Sequence, residues 1–256
     1  MLDEIVTIVR QAGDMLLQAR DVESVTAEKH GAADLVTSYD LAVQDLLRRR
    51  LLALLPEADF LGEEGEHEAL TKPWVFVADP IDGTANFVHD MHYSNVSVAL
   101  VHEGVTEYAA VCDPYRGEVY AARRGGGAFC NGRPMAVSTR DADHAIVLCG
   151  STIYDPALTE RHFAVMRKLY DRCADYRRFG AAALDLCQIA AGRAEIFFEC
   201  RLRPWDFAAA SLLITEAGGS FTTLEGGAPD VLRPGSVFAS NARCRGIREE
   251  LELGEL

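Results

Sequence analysis

A short apolar run that ends in acid sets the first limit on how this chain folds. Residues 74–78, Trp-Val-Phe-Val-Ala, follow Pro73 and read as a strand buried on both faces. The run closes at Asp79, and Pro80-Ile81-Asp82-Gly83-Thr84 follow directly. Pro80 should end the strand in an extended turn. A carboxylate at the end of a buried strand is costly unless paired, and a second one three residues on adds repulsion. Asp82-Gly83 as a plain turn, with Asp79 as a cap, explains Gly83 but not the second acid. A divalent cation relieves both costs, and Mg²⁺ takes hard oxygen ligands, usually a few carboxylates with water and phosphate.

Around this run the patterning predicts layered α and β structure on two sheets. Apolar residues at helical spacing predict an amphipathic helix over 2–20, and a polar loop follows at 28–33 around Gly31. Thr37 with Asp40 three residues later is a capping-box pattern opening a helix that Pro56 stops at about 55. Strands are predicted at 93–101, 105–112 and 118–122, with Glu103-Gly104 and Tyr115-Arg116-Gly117 as turns, which makes an antiparallel meander. The second half alternates: strand 145–149, helix 155–170, helix 181–191, strand 194–199, helix 207–217, strands 220–223 and 237–239, and a charged helix over 243–253. No repeat, low-complexity tract or linker interrupts the chain, so residues 1–256 read as one domain, with halves of about 1–140 and 141–256.

Composition narrows the partners. The 39 acidic residues outweigh 25 Lys and Arg, for a net charge of −14. Such a surface repels a phosphate backbone, so no nucleic acid is expected on a broad basic face. An anionic substrate needs the local field inverted, and bound cations do that. Asp3 and Glu4 stand where a signal peptide is basic, and no stretch is long and apolar enough for a membrane span. The seven cysteines are odd in number and none is at CxxC spacing, which disfavours zinc, thioredoxin-like and disulfide readings and favours the cytoplasm.

Two further acids matter only as partners of Asp79 and Asp82. Glu63, in Gly62-Glu63-Glu64, reads alone as a solvated loop residue, and Asp206, after Trp205, reads alone as the N-cap of the 207–217 helix. Taken together the segments resemble the inositol monophosphatase family. Residues 79–87, Asp-Pro-Ile-Asp-Gly-Thr-Ala-Asn-Phe, look like its signature, and Trp205-Asp206-Phe207-Ala208-Ala209 with Glu216-Ala217-Gly218-Gly219 like its second one. The likeness extends to Lys29, to Asp34-Leu35-Val36-Thr37 with Asp40, to Gly62-Glu63-Glu64 and to residues 127–132, in order along the whole chain.

The resemblance implies an α+β fold, the layered αβαβα sandwich of inositol monophosphatase and fructose-1,6-bisphosphatase. It also implies two to three Mg²⁺: Glu63, Asp79 and the Ile81 carbonyl would hold one, Asp79, Asp82 and Asp206 a second, and a hydrated third would sit near Glu63. Asp40 and Thr84, with Glu63, would be catalytic by positioning an attacking water, so no Ser, Cys or His nucleophile is needed. His89 is the histidine closest to the motif. Gly83 and Thr84 amides would meet the phosphate, and Ala182, Glu199 and Asp206 the leaving alcohol. Lys29 would belong to a loop closing over the metals. Lithium sensitivity and a homodimer are implied in the same way.

The leading reading is therefore a Mg²⁺-dependent phosphomonoesterase acting on a small polyol or sugar phosphate. Ala181 stands where many relatives carry Ser or Thr, and Cys200-Arg201-Leu202-Arg203 precede Pro204, so the alcohol stays open. Asp185 could hydrogen-bond substrate or a neighbouring loop. Histidinol phosphatase, fructose-1,6-bisphosphatase and a 3′-nucleotide bisphosphatase are the alternatives in the same class. A bisphosphate substrate predicts a basic cluster, for which Arg177, Arg178, Arg201 and Arg203 are the candidates. A two-metal nuclease is disfavoured by charge, and a non-catalytic interaction protein on the same scaffold is the remaining class.

Overall fold

A computed structural model describes residues 1–28, 35–65 and 69–256; Lys29, Asp34 and all but the first residue of the 28–33 loop lie outside them. The chain opens with α1 (Leu2–Gln18), whose Ile5, Ile8, Val9, Ala12 and Leu16 form one buried stripe as the spacing predicts. A short antiparallel pair follows, β1 (Thr26–Glu28) with β2 (Leu35–Thr37). Helix α2 (Ser38–Leu54) carries the expected capping box from Thr37 and Asp40.

The large sheet is built from β3 (Ala58–Gly62), β4 (Trp74–Asp82), β5 (Asn95–His102), β6 (Val105–Asp113), β7 (Glu118–Arg123), β8 (Ala128–Cys130) and β9 (Arg133–Pro134), in that spatial order. Its pairs are antiparallel except β3 with β4. A short helix α3 (Thr84–Val88) leaves the end of β4. The second half supplies β10 (Ile146–Cys149), α4 (Thr159–Arg172), β11 (Asp175–Arg177), α5 (Ala182–Ala190), β12 (Ile196–Leu202), α6 (Pro204–Glu216), β13 (Ser220–Thr222), β14 (Gly235–Ser240) and α7 (Ile247–Glu250). Its sheet runs β11-β10-β12-β14-β13, parallel on the β11-β10-β12 side and antiparallel on the other.

Strand alternation turns these sheets into layers. Phe76 and Ala78 of β4 pack under α1 and α2 with Ile8, Val43 and Leu47, whereas Val75 and Val77 face α5 and α6. The middle helices are sandwiched in turn: Leu148, Phe197, Val237 and Ala239 of the small sheet close on their far side. Val147, Ile196, Phe198 and Phe238 face the opposite way, toward Val165 and Leu169 of α4 and Ile247 of α7. The result is the expected α+β αβαβα sandwich. Helices α5 and α6, covered on two sides, are apolar nearly all round, as burial between two sheets requires.

Three expectations are corrected. The strand predicted to stop at Asp79 continues to Asp82, because a bulge absorbs Pro80. The helix predicted from Phe207 opens at Pro204, whose missing N–H and fixed φ suit the first helical position. The charged helix over 243–253 shrinks to α7: the Cys244 amide donates to Asn241 Oδ1 at 2.8 Å, and Glu252 takes a positive φ of 51° that no helix tolerates.

Candidate active site

The bulge in β4 builds the acidic centre. Asp79 pairs with Ser97 and Asp82 with Asn95, so three steps on β4 oppose two on β5. In a regular strand residues three apart face opposite sides; the extra residue turns Asp82 toward the cavity that Asp79 lines. Asp79 Oδ1 accepts from the Ile81 amide at 3.1 Å. Asp82 accepts from Asn95 Nδ2 at 2.6 Å and from the Ala182 and Ala183 amides at 3.0 and 2.8 Å, the first turn of α5. Free amides and the positive dipole end of a helix suit a carboxylate.

Two other acids sit in equivalent places. Asp40 is the third residue of α2, and its Oδ2 accepts from the Thr37 amide at 2.7 Å and the Thr37 hydroxyl at 2.6 Å. Asp206 is the third residue of α6 rather than its N-cap, and its Oδ2 accepts from the Arg203 amide at 2.6 Å. Thr84 Oγ1 lies 3.3 Å from Asp40 Oδ1 and 3.0 Å from the Ile81 carbonyl. Asp40 is fully buried and stands behind Thr84, which lines the cavity, so Asp40 meets the cavity through that hydroxyl. Glu63 follows β3 on a loop clamped from α2: Gln44 Nε2 donates to the Glu64 carbonyl at 2.6 Å, and the Glu64 amide donates to Gln44 Oε1 at 2.8 Å. A side chain at Gly62 would run into Gln44, 2.3 Å from its Oε1, so the clamp needs glycine there.

These acids raise one another's pKa. Burial, then the charges of Glu63, Asp82, Asp206 and Asp40, hold Asp79 well above the usual carboxylate range. Asp206 is pushed up by burial and by Asp82, and Asp82 rises through burial despite its three hydrogen bonds. Glu199 is raised by burial, Asp206 and Asp185, and Asp185 by burial against the hydrogen bond from Tyr93.

The cavity measures about 770 Å³ and is lined by Glu63, Asp79, Ile81, Asp82, Gly83, Thr84, Ala182, Glu199 and Asp206, which places every sequence-derived site residue except Asp40 on one wall or another. Gly83 takes a φ of +85° that opens α3 and leaves the following amides without helical partners. Glu199, on β12, lies against Gly150 at the end of β10, where an added Cβ would fall 1.6 Å from Glu199 Oε2. Gly150, Gln44 and the loop residues Ser151, Thr152 and Tyr154 carry no signal in the sequence, since their roles come from strand and helix neighbours distant along the chain. Arg178, Arg201 and Arg203 line the cavity, but Arg177 does not; it pairs with Asp175 at 2.7 Å and borders a separate cavity of about 280 Å³. Among the described residues no His or Cys lines the larger cavity, and His89 is exposed on α3's exit. Other motif residues are structural: Glu216 accepts from the Gly125 and Gly127 amides, both at 2.8 Å, and Asn131 ties β7 to its turn.

The donor set suits Mg²⁺. It consists of hard carboxylate and carbonyl oxygens, and mutual repulsion is what a dication removes. Among the described residues no three acids stand close enough together to hold a single ion. Mg²⁺ usually keeps several waters beside its carboxylates, so the acids would have to close on an ion for three of them to share it.

Known proteins with this sequence pattern and fold point the same way. The inositol monophosphatase family matches residues 1–252. The Nus factor SuhB of Escherichia coli (strain K12) is 39% identical over 246 residues, covering 95% of this chain and 92% of that protein. The inositol-1-monophosphatase of Rhizobium meliloti (strain 1021) is 36% identical over 258 residues, covering 98% and 96%. A solved IMPase/NADP phosphatase complexed with Mg²⁺ and phosphate superposes with a TM-score of 0.85 at 28% identity, covering 96% of this chain and 92% of that one.

Proposed function

Since the chain belongs to the inositol monophosphatase family, we propose that it is a Mg²⁺-dependent phosphomonoesterase that hydrolyses a small polyol or sugar phosphate, of the inositol 1-phosphate kind, by direct attack of water. The observation that carries this reading is the gathering of Glu63, Asp79, Asp82 and Asp206 around one cavity, with Asp82 raised in pKa by burial and Asp79 and Asp206 raised by burial and by the charges of their neighbours. Glu63, Asp79 and the Ile81 carbonyl would hold one Mg²⁺, Asp79, Asp82 and Asp206 a second, and a hydrated third would lie near Glu63. Bound Mg²⁺ supplies positive charge for the phosphate and acidifies water.

The chain's own groups do the rest. Thr84 Oγ1 lines the cavity and can orient a water, while Asp40 Oδ1 and the Ile81 carbonyl, 3.3 and 3.0 Å away, are the acceptors that fix the direction of its hydroxyl. The amides after Gly83 suit phosphate oxygens. Glu199 and the Ala182 backbone would face the leaving alcohol, with Asp206 at the boundary between alcohol and phosphate. Residues 1–256 act as one unit in this reading, because the middle core joins strands of the first half to α5, α6 and the small sheet. We also place the protein in the cytoplasm, with seven free cysteines in support, and as a homodimer; no helix of the described residues is long and apolar enough to cross a membrane.

Purified protein should release phosphate from inositol 1-phosphate with Mg²⁺ and not with EDTA, and millimolar Li⁺ should inhibit. Asp79→Asn should lose at least ~100-fold in kcat while keeping its far-ultraviolet circular dichroism. Near-normal turnover in that variant would remove the metal assignment. Light scattering at micromolar concentration checks the dimer.

The likeness to SuhB, a Nus factor, favours a second reading, in which this chain also has a Nus-type role. Asp79→Asn separates the two in an Escherichia coli K12 strain lacking its SuhB: a role independent of hydrolysis survives the substitution, and one that depends on it does not.

A further inference from the structure

The segment 79–87 carries one buried polar side chain to which neither metal nor phosphate gives a task. Asn86, in α3, is 5% exposed. Its Nδ2 donates to the Tyr93 carbonyl and to the Phe179 carbonyl, each at 2.8 Å. A carboxamide nitrogen has two hydrogens, so both are spent on backbone oxygens. Tyr93 lies seven residues on, whereas Phe179 is 93 residues away, just ahead of α5. The stretch that Asn86 holds there leads straight into the Ala182 and Ala183 amides, which donate to Asp82 at 3.0 and 2.8 Å.

The two backbones run in close approach along this seam. A Cβ at Gly83 would lie 3.0 Å from the Ala181 Cβ and 3.2 Å from the Gly180 carbonyl oxygen. Two further bonds close it: Ser94 Oγ donates to the Gly83 carbonyl at 3.0 Å, and the Tyr93 hydroxyl to Asp185 Oδ1, in α5, at 2.7 Å. Resting on the phosphatase reading, we propose that Asn86 is a positioning residue. By tying Phe179 to Tyr93 it holds the first turn of α5, and with it Asp82, in fixed register with the Gly83 and Thr84 amides. The metal side and the phosphate side of the site then move as one body. Its effect passes through Asp82 and the backbone, so its loss acts on kcat and on Mg²⁺ affinity more than on KM. Asn241 gives the matched comparison. It is equally buried, its Nδ2 also serves two acceptors, Ser138 Oγ at 2.9 Å and the Arg140 carbonyl at 2.8 Å, and it does not line the cavity.

The test sets Asn86→Ala beside Asn241→Ala in the full-length protein. Asn86→Ala should lower kcat on inositol 1-phosphate at least ~10-fold with KM nearly unchanged, since small misplacements at a reacting centre are that costly. Mg²⁺ titrated by calorimetry without ester should bind that variant ~10-fold more weakly, the scale at which loss of a ligand's support is felt. Asn241→Ala should lose a similar amount of Tm and leave kcat and Mg²⁺ binding unchanged. Tyr93→Phe keeps the ring and the backbone ties and removes only the bond to Asp185. It should shift kcat and Mg²⁺ affinity in the same direction by roughly threefold, the share of one hydrogen bond, and it decides the matter if Asn86→Ala does not fold. Lost Tm with unchanged kcat and Mg²⁺ affinity at position 86, or no change in Tyr93→Phe where that variant must decide, overturns the positioning role and leaves the phosphatase reading standing. If the unsubstituted protein releases no phosphate, the phosphatase reading falls and the calorimetry decides alone: weaker Mg²⁺ binding in Asn86→Ala supports the positioning role, and equal binding overturns it. An unsubstituted protein that binds no Mg²⁺ overturns both.

Discussion

Gly150 shows how much of a site can rest on an absent side chain. Its neighbour across the sheet, Cys149 to Phe198, sets β10 beside β12 so that Glu199 folds onto the glycine backbone. Any Cβ at Gly150 occupies the place of the Glu199 carboxylate, 1.6 Å from Oε2, a distance that forces Glu199 out of its position. Gly150→Ala should therefore raise KM for a polyol phosphate by at least ~10-fold, as loss of a hydrogen bond to a charged group costs about 1.5–3 kcal/mol. With p-nitrophenyl phosphate, which has no hydroxyls for Glu199 to accept, the change should be under ~3-fold. Equal losses on both esters would show that Gly150 supports the fold and not alcohol recognition. At this scale the acids were legible and their supports were not. Asp79 and Asp82 announce themselves as charges at the end of a buried run, whereas Asp206 alone reads as an N-cap and Asp40 as half of a capping box, and both join the site only through the family resemblance. Gln44 is an ordinary polar residue of an amphipathic helix until β3 is placed beside it, and Gly150 resembles any loop glycine.

Elements decide which acids meet. Asp40, Asp82 and Asp206 each lie against the first turn of a helix, α2, α5 and α6, where amides lacking helical partners partly offset burial. The β4 bulge supplies the remaining alignment, and Asn95 pins it by donating to Asp82 from inside the sheet. Asn95→Ala at pH 8 should lower stability by about 1–3 kcal/mol, the cost of leaving a buried acceptor unpaired, read as a lower urea midpoint with an unchanged m-value. An unchanged midpoint would mean that the two α5 amides suffice for Asp82. The long periodic elements were readable from sequence because a buried stripe or a β run repeats several times, as in α1, β5 and β6. The three-residue strands β1, β2, β8 and β11 are too short for a period to appear, whereas β13, equally short, is marked by the Gly218-Gly219 that ends the helix before it. The bulge escaped notice for a different reason: Pro80 signals a break equally well whether the strand ends or detours, and only the partner strand distinguishes the two. The charged tail over 243–253 had helical composition, yet α7 spans only Ile247–Glu250 because the Asn241 side chain holds the preceding turn.

For the whole molecule, the acidic charge and the cation site are linked. A carboxyl whose pKa is raised in the folded state binds its proton more tightly there than in the unfolded chain. Asp79, Asp82, Asp206, Glu199 and Asp185 all shift in that direction. Without metal, the stabilisation from their protonation is complete below the unfolded value, about 4. It is lost as pH rises through their folded values, so the metal-free protein should weaken from pH 5 toward pH 8. Mg²⁺ replaces those protons and competes with them, so it binds better at the higher pH. One ion at 100 times its Kd adds about 2.7 kcal/mol, and for a chain of this size that is a Tm gain of roughly 5–10 °C. Differential scanning at pH 5 and pH 8, with EDTA or with 10 mM Mg²⁺, should show that gain at pH 8 and less than half of it at pH 5. A gain independent of pH would mean that Mg²⁺ acts on the surface charge at large and not on the buried acids. The same charge arithmetic was available from the sequence, where 39 acids against 25 bases already called for a cation near any phosphate. The layered architecture was legible too, since near-continuously apolar helices next to short apolar strands can be buried only between two sheets. Which loops would line the cavity, and that Arg178, Arg201 and Arg203 would all be among its walls, required the chain to be folded: Arg178 and Arg203 stand 25 residues apart in sequence, and Arg177 beside the first faces another cavity.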